Sequence, residues 1–132
     1  MFEEKDFDRV ACSGEERRSL LPLALKMKEL AECSSSEGLF ALGRYMDGTD
    51  ADLANAIQEL LSDERKIPFS DRLRTLTLAG KPHGAALLRR MMIAEGMSDI
   101  DAGVKPDVLE QMVRAYLGAD LFFETKKWEL LC

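Results

Sequence analysis

Few residues in this chain could do chemistry, and they are scattered. His83 is the only histidine and stands in Lys81-Pro82-His83-Gly84. One imidazole excludes a histidine-built metal site. As a general base it would need a carboxylate to orient it and a nucleophile to serve. Cys33 and several serines are present, but no spacing ties them to His83, which reads as a turn or helix-start residue. Gly80-Lys81 followed by Gly84 is the sort of sequence that cradles phosphate at a helix start. The full pattern Gly-x-x-x-x-Gly-Lys-Ser/Thr is missing. What remains is a candidate anion contact through Lys81, Arg89 and Arg90, with a solvated basic face as the plainer account. Asp47, Asp50, Asp52 and Glu59 hint at a calcium loop, but Asp52 falls where the loop needs glycine and Gln58 where it needs glutamate. Helix capping explains these acids better, and Asp99 and Asp101 read as turn residues. Cys12, Cys33 and Cys132 are odd in number and lack metal-ligand spacing. No catalytic, metal or cofactor-binding residue is nominated, and no cofactor is expected.

Charge is segregated along the chain. The 132 residues carry a net −6, yet residues 65–90 hold seven basic side chains against Asp71 alone. Such a segment could meet an anionic partner, or it could neutralise the acidic flanks within the same fold; the second account is preferred. A helix-turn-helix DNA reader over 70–92 would lack asparagine and glutamine for base contacts, so nucleic acid is not an expected partner. Hydrophobic residues make up 46% and charged residues 32%, a balance that excludes wholesale disorder and a membrane-embedded chain. No run approaches the roughly 18 apolar residues of a bilayer span. The opening MFEEKDFDRV is no signal peptide, and with scattered cysteines it points to the cytoplasm.

The elements that must position these residues are helical. Ser13-Gly-Glu-Glu16 is a capping box that opens a segment over 15–33, with Pro22 delaying the true helix start. Ser34-Ser-Ser-Glu37 reads as a second capping box, opening a short helix through Leu39, Phe40, Leu42 and Met46. Asp47-Gly-Thr-Asp50 is a turn, and Thr49 or Asp50 caps 51–64, where Leu53, Ile57, Leu60 and Leu61 make one stripe. Residues 71–79 alternate as Thr-Leu-Thr-Leu and could be a strand; with no partner strand in sight, helix is the reading taken. Residues 85–96 form a small-residue helix that Gly96 and the following 98–103 loosen. Pro106 starts another, in which Val108, Leu109, Met112, Val113, Tyr116 and Leu117 form a face broad enough to imply burial on more than one side. Few β-branched residues are present, which argues against a sheet.

Two stretches look alike. Glu37-Gly38-Leu39 leads to DGTDADLANAIQELL, and Glu95-Gly96-Met97 leads to AGVKPDVLEQMVRAYL. Glu37-Gly-Leu-Phe-Ala-Leu42 resembles the EGLLAL segment of MotA-type flagellar stator subunits. RRMMIAEGMSDIDAGVKPDVLEQMVRAYL at 89–117 resembles their post-membrane segment, in the same order. The resemblance implies a helical cytoplasmic domain that touches the rotor through charged side chains. The family's basic residue before Glu-Gly falls at Ser35 or Ser36 here, its acidic residue after Ala-Leu falls at Gly43, and the transmembrane helices that would conduct ions are absent.

The expectation is an all-α, compact bundle of five to seven helices, with two similar helix-turn-helix units if the repetition is structural. Residues 1–12 would be a polar arm pinned by Phe2, Phe7 and Val10, and 13–132 a single helical domain. Its function would be non-catalytic protein–protein interaction, as an adaptor, assembly or regulatory module, binding another protein or a second copy of itself. The interaction surface would be Phe122, Phe123, Trp128 and Leu131 with the Met91/Met92 ridge. The alternatives are a soluble protein of the flagellar motor and an anion or nucleic-acid binder through 65–90.

Overall fold

Ser13 begins the main helical path. Its hydroxyl accepts from the Glu16 amide at 3.0 Å and its own amide donates to the Glu16 carboxylate at 3.1 Å, the reciprocal box written in the sequence. The computed structural model describes residues 1–62 and 68–123, and every regular element among them is helical. In chain order these are α1 (Glu4–Phe7), α2 (Gly14–Arg18), α3 (Leu21–Glu37), a 3-10 helix (Leu39–Tyr45), α4 (Ala51–Leu61), α5 (Phe69–Leu78), α6 (Gly84–Asp101), α7 (Pro106–Arg114) and a 3-10 turn (Ala115–Leu117). A further helical turn occupies 119–123. The all-α bundle is therefore the fold adopted.

Pro22 lies in the first turn of α3, where no intrahelical N–H bond is lost, so the chain breaks between α2 and α3 as expected. Ser34–Ser36 do not open a new helix. They form the exposed last turn of α3, with the Ser36 hydroxyl donating to the Glu32 carbonyl at 3.0 Å, and α3 ends only at Gly38. Gly38 has φ 93°, a left-handed geometry that stops the helix at little cost for glycine. The Asp50 side chain caps α4 by accepting from the Leu53 amide at 3.0 Å. The Thr-Leu-Thr-Leu segment is helix: Leu73 and Thr77 point inward at i and i+4, and the Thr77 hydroxyl donates to the Leu73 carbonyl at 2.7 Å.

Gly96 does not loosen α6, which runs unbroken to Asp101. A methyl group at Gly96 would stand 2.3 Å from Met27 Cε and 3.1 Å from its Cγ. The glycine is there so that α3 and α6 can approach closely, and that packing outweighs its low helix propensity of about 1 kcal/mol. α7 lies antiparallel on α3: Asp107 and Glu110 meet Lys28 at 3.0 and 3.6 Å, whereas the Leu117 carbonyl and Asp120 meet Arg17. The core gathers Met27 and Leu30 of α3, Ile57 of α4, Met92 and Met97 of α6, and Leu109, Val113 and Leu117, none of which is exposed. Each such side chain contributes roughly 1.5–3 kcal/mol of burial.

The repetition is not carried into local structure at its Glu-Gly pairs. Glu37-Gly38 ends α3, while Glu95-Gly96 sits inside α6. The apolar stripes behave alike only in part: Leu53 and Ile57 are buried like their counterparts Leu109 and Val113, but buried Leu60 corresponds to half-buried Tyr116, and half-buried Leu61 to buried Leu117. The first twelve residues are tied down at several points. Phe2 and Val10 pack on the core, Arg9 donates to the Pro82 carbonyl at 2.7 Å, and the Gly84 amide donates to the Arg9 carbonyl at 2.6 Å.

Candidate functional site

α7 buries one stripe and exposes another. Leu109 and Val113 are sealed in the core, but Val108 is 48% exposed and Met112 40%. The apolar face is as broad as the sequence suggests, yet only one side of it is covered. Val108, Met112 and Tyr116 stand at i, i+4 and i+8, adjacent along the outside of the helix and the turn that continues it. Phe7 of α1, itself 42% exposed, extends the patch: its ring lies 5.8 Å from the Tyr116 ring, and Phe2 meets the same ring edge-on at 6.4 Å.

Beneath Tyr116 lies an acid pair. The phenol donates to Glu95 Oε1 at 3.0 Å, and Glu95 hydrogen-bonds Asp99 one turn further along α6. Asp99 is therefore a buried helical residue, not the turn residue expected, and its Oδ2 atom has no hydrogen-bond partner. Burial first, then its hydrogen bond and repulsion with Glu95, push the Asp99 carboxyl up to about 8. The Tyr116 hydroxyl is pushed upward as well, by burial and by the neighbouring Glu95 charge, so it stays a donor. The signal that could have revealed this pair was two carboxylates at i and i+4 in a helix otherwise dominated by leucine, methionine and alanine.

The residues expected to form the interaction surface are divided. Met91 and Met92 have no exposure and belong to the core, because α6 is packed by α3, α4, α5 and α7 at once; they form no outward ridge. Phe123 is 64% exposed and meets half-buried Phe122 edge-to-face at 5.2 Å, above buried Leu121. Trp128 and Leu131 lie outside the described residues.

Of the basic segment, Arg65 and Lys66 lie outside the described residues, and four of the other five meet the chain's own acids. Arg89 pairs with Asp50 and lies 3.5 Å from Asp52; Arg90 lies 3.6 Å from Asp52. Arg72 meets Glu59 at 2.9 Å, and Arg74 approaches Glu3 and Asp6 at 3.8 and 3.9 Å. Burial alone would raise the Asp50 carboxyl, but the Leu53 amide and Arg89 outweigh it and hold it low. Lys81 sits apart on the exposed turn before α6, with φ 51°, and His83 occupies the exposed N-cap position without a side-chain capping bond. Of the supposed calcium-loop acids, Asp50 thus caps α4 and pairs with Arg89, Asp52 faces Arg89 and Arg90, and Glu59 pairs with Arg72. Among the described residues no three metal-ligating side chains converge, and no helix is long and apolar enough to cross a membrane.

At the end of α3, buried Cys33 accepts from Arg44 at 3.1 Å, and Arg44 also pairs with Glu37. That pair draws the Glu37 carboxyl down and the Arg44 guanidinium up. Phe40 projects beside them at 72% exposure. No family model, curated protein or solved structure matches this chain.

Proposed function

We propose that this chain is a non-catalytic protein–protein interaction module of the cytoplasm, and that its docking surface is the outer face of α7. The observation that carries the reading is the second apolar stripe, in which Val108 and Met112 are left open to solvent and half-buried Tyr116 continues the row beside exposed Phe7, on a helix whose first stripe is fully covered. A contiguous row at helical spacing suits an amphipathic helix laid along it, read through anchors at i, i+4 and i+8. The internal pairing of Arg72, Arg74 and Arg89 weighs against the anion or nucleic-acid alternative, since a phosphate would have to displace carboxylates already in place.

The test is site-specific photo-crosslinking in the native cell, with a photoreactive residue at position 112 and a control at exposed Glu32. An adduct at 112 that disappears with Val108→Arg supports the face; adducts no stronger at 112 than at 32 refute it. The adduct's mass separates a second 14.8 kDa copy from another protein.

A second reading is a flagellar-motor partner. It draws on the stator-like stretches at 37–42 and 89–117, and the observation favouring it is the solvent-facing Glu37–Arg44 pair beside Phe40. A photoreactive residue at position 40 that captures a rotor component would favour it, and one that captures nothing would remove it.

A further inference from the structure

A cavity of about 250 Å³ opens between α4, α5 and α6, away from the α7 face. It exists because α4 and α6 present alanines, Ala56 and Ala94, where larger side chains would fill the space against Leu73 and Ile93. Those four residues make an apolar floor. Thr77 also borders the space, but its hydroxyl is satisfied by the Leu73 carbonyl and asks for no ligand.

The mouth is polar in a particular way. Arg90 Nε stands 3.6 Å from Asp52 Oδ1, and its NH1 stands 3.4 Å from the Ala79 carbonyl. Both contacts are longer than good hydrogen bonds, so the guanidinium is held in position with most of its donor capacity unspent. Asn55, exposed beside them, makes no side-chain hydrogen bond to the described protein. Arg89 NH1 also lies 3.5 Å from the other Asp52 oxygen, so the carboxylate stands between two guanidiniums, of which Arg90 borders the apolar hollow beside it.

We propose that this cavity binds a small zwitterion, an α-amino acid with a branched aliphatic side chain, with its carboxylate on Arg90 and Asn55, its ammonium on Asp52 and its side chain on the Ala56–Leu73–Ile93–Ala94 floor. The charges of an α-amino acid are themselves adjacent, so they pair antiparallel with the Arg90–Asp52 couple, each ligand charge meeting its opposite. Size points the same way: the cavity is near the small end of ligand pockets, which start at roughly 300 Å³, and is too small for a nucleotide. The inference goes beyond the docking reading and uses none of its residues.

The test needs only the intact chain. Amide NMR and calorimetry are run with L-leucine, 4-methylpentanoate, isoamylamine and N-acetyl-leucine. Leucine is expected to shift amides in 52–56, 73–79 and 90–94. The two single-charge analogues should bind at least about tenfold more weakly, the cost of losing one charge-assisted contact. Arg90→Gln should weaken leucine binding by a similar factor without changing the circular dichroism spectrum. Ala79→Leu, at the exposed rim, should obstruct the mouth and weaken binding too. No amide shift at about 10 mM leucine overturns the proposal. So does equal binding of 4-methylpentanoate, which would show that the ammonium is not read, and so does equal binding of N-acetyl-leucine, which would assign the cavity to a peptide C-terminus.

Discussion

Replacing Asp99 by asparagine should make the protein more stable at mildly alkaline pH and nearly unchanged at acid pH. Asp99 is 6% exposed, pairs with Glu95 and leaves Oδ2 without a partner. Its carboxyl is pushed from an ordinary value of 3.8 up to about 8. Between those values the folded chain keeps a proton that the unfolded chain has lost. Stability from this group is complete below about pH 4 and drains away as pH rises toward 8. The slope is at most about 1.4 kcal/mol per pH unit, so from pH 5 to 7.5 the parent should lose about 3 kcal/mol through this site. Asparagine keeps the shape and supplies an N–H donor to Glu95 without a proton to lose. Urea unfolding of parent and Asp99→Asn at a series of pH values from about 5 to 8.5 gives the comparison, and taking the difference cancels every other titrating group. A difference that stays flat across this range, or a variant less stable than the parent at pH 8, would show that the two carboxyls do not share a proton and that the burial argument is wrong.

Gly96→Ala should destabilise by about 1–2 kcal/mol by chemical denaturation, because the strain of pushing Met27 aside exceeds the helix-propensity gain. Glu110→Gln should cost about 2–3 kcal/mol by the same measurement, since it removes the charge that faces both buried Arg114 and Lys28. Val108→Arg should leave the thermal midpoint within about 2 °C of the parent, because the side chain lies outside the core; a larger drop would mean that its exposed face is already covered within the fold.

The helices were readable because their signals are local. Ser13 with Glu16, Asp50 before α4 and Pro106 at the head of α7 each mark a boundary through a backbone group that must be satisfied or a ring that cannot be. The errors came where tertiary contact overrode local preference. The serines at 34–36 favour a helix start, yet α3 was already running and needed only a stop, which Gly38 supplies two residues after Ser36. Gly96 looked like a weak point because its reason for being there, Met27, lies far away in sequence. The acid pair stayed hidden for the same reason: Glu95 and Asp99 acquire their chemistry from Tyr116 and from burial, neither of which the local spacing displays. Met91 and Met92 looked like a surface ridge because an apolar pair on a helix does not say how many neighbours surround it.

The breadth of α7 was read correctly in amount and incompletely in consequence. A helix that buries one stripe needs roughly three or four apolar positions in every two turns. Counting the turn at 115–117, this one has Leu109, Val113 and Leu117 for that purpose and then Val108, Met112 and Tyr116 in addition. The first set accounts for its place in the bundle. In the second, Val108 and Met112 face water and add little to folding, whereas half-buried Tyr116 packs on the core, is held by Glu95 and is framed by Phe2 and Phe7, so that its ring presents a fixed edge. A side chain already ordered before a partner arrives loses less entropy on docking than a free one. That is the physical ground for seating the partner on α7 rather than on Phe40 or Phe123, which are more exposed but have no comparable row of neighbours at helical spacing among the described residues.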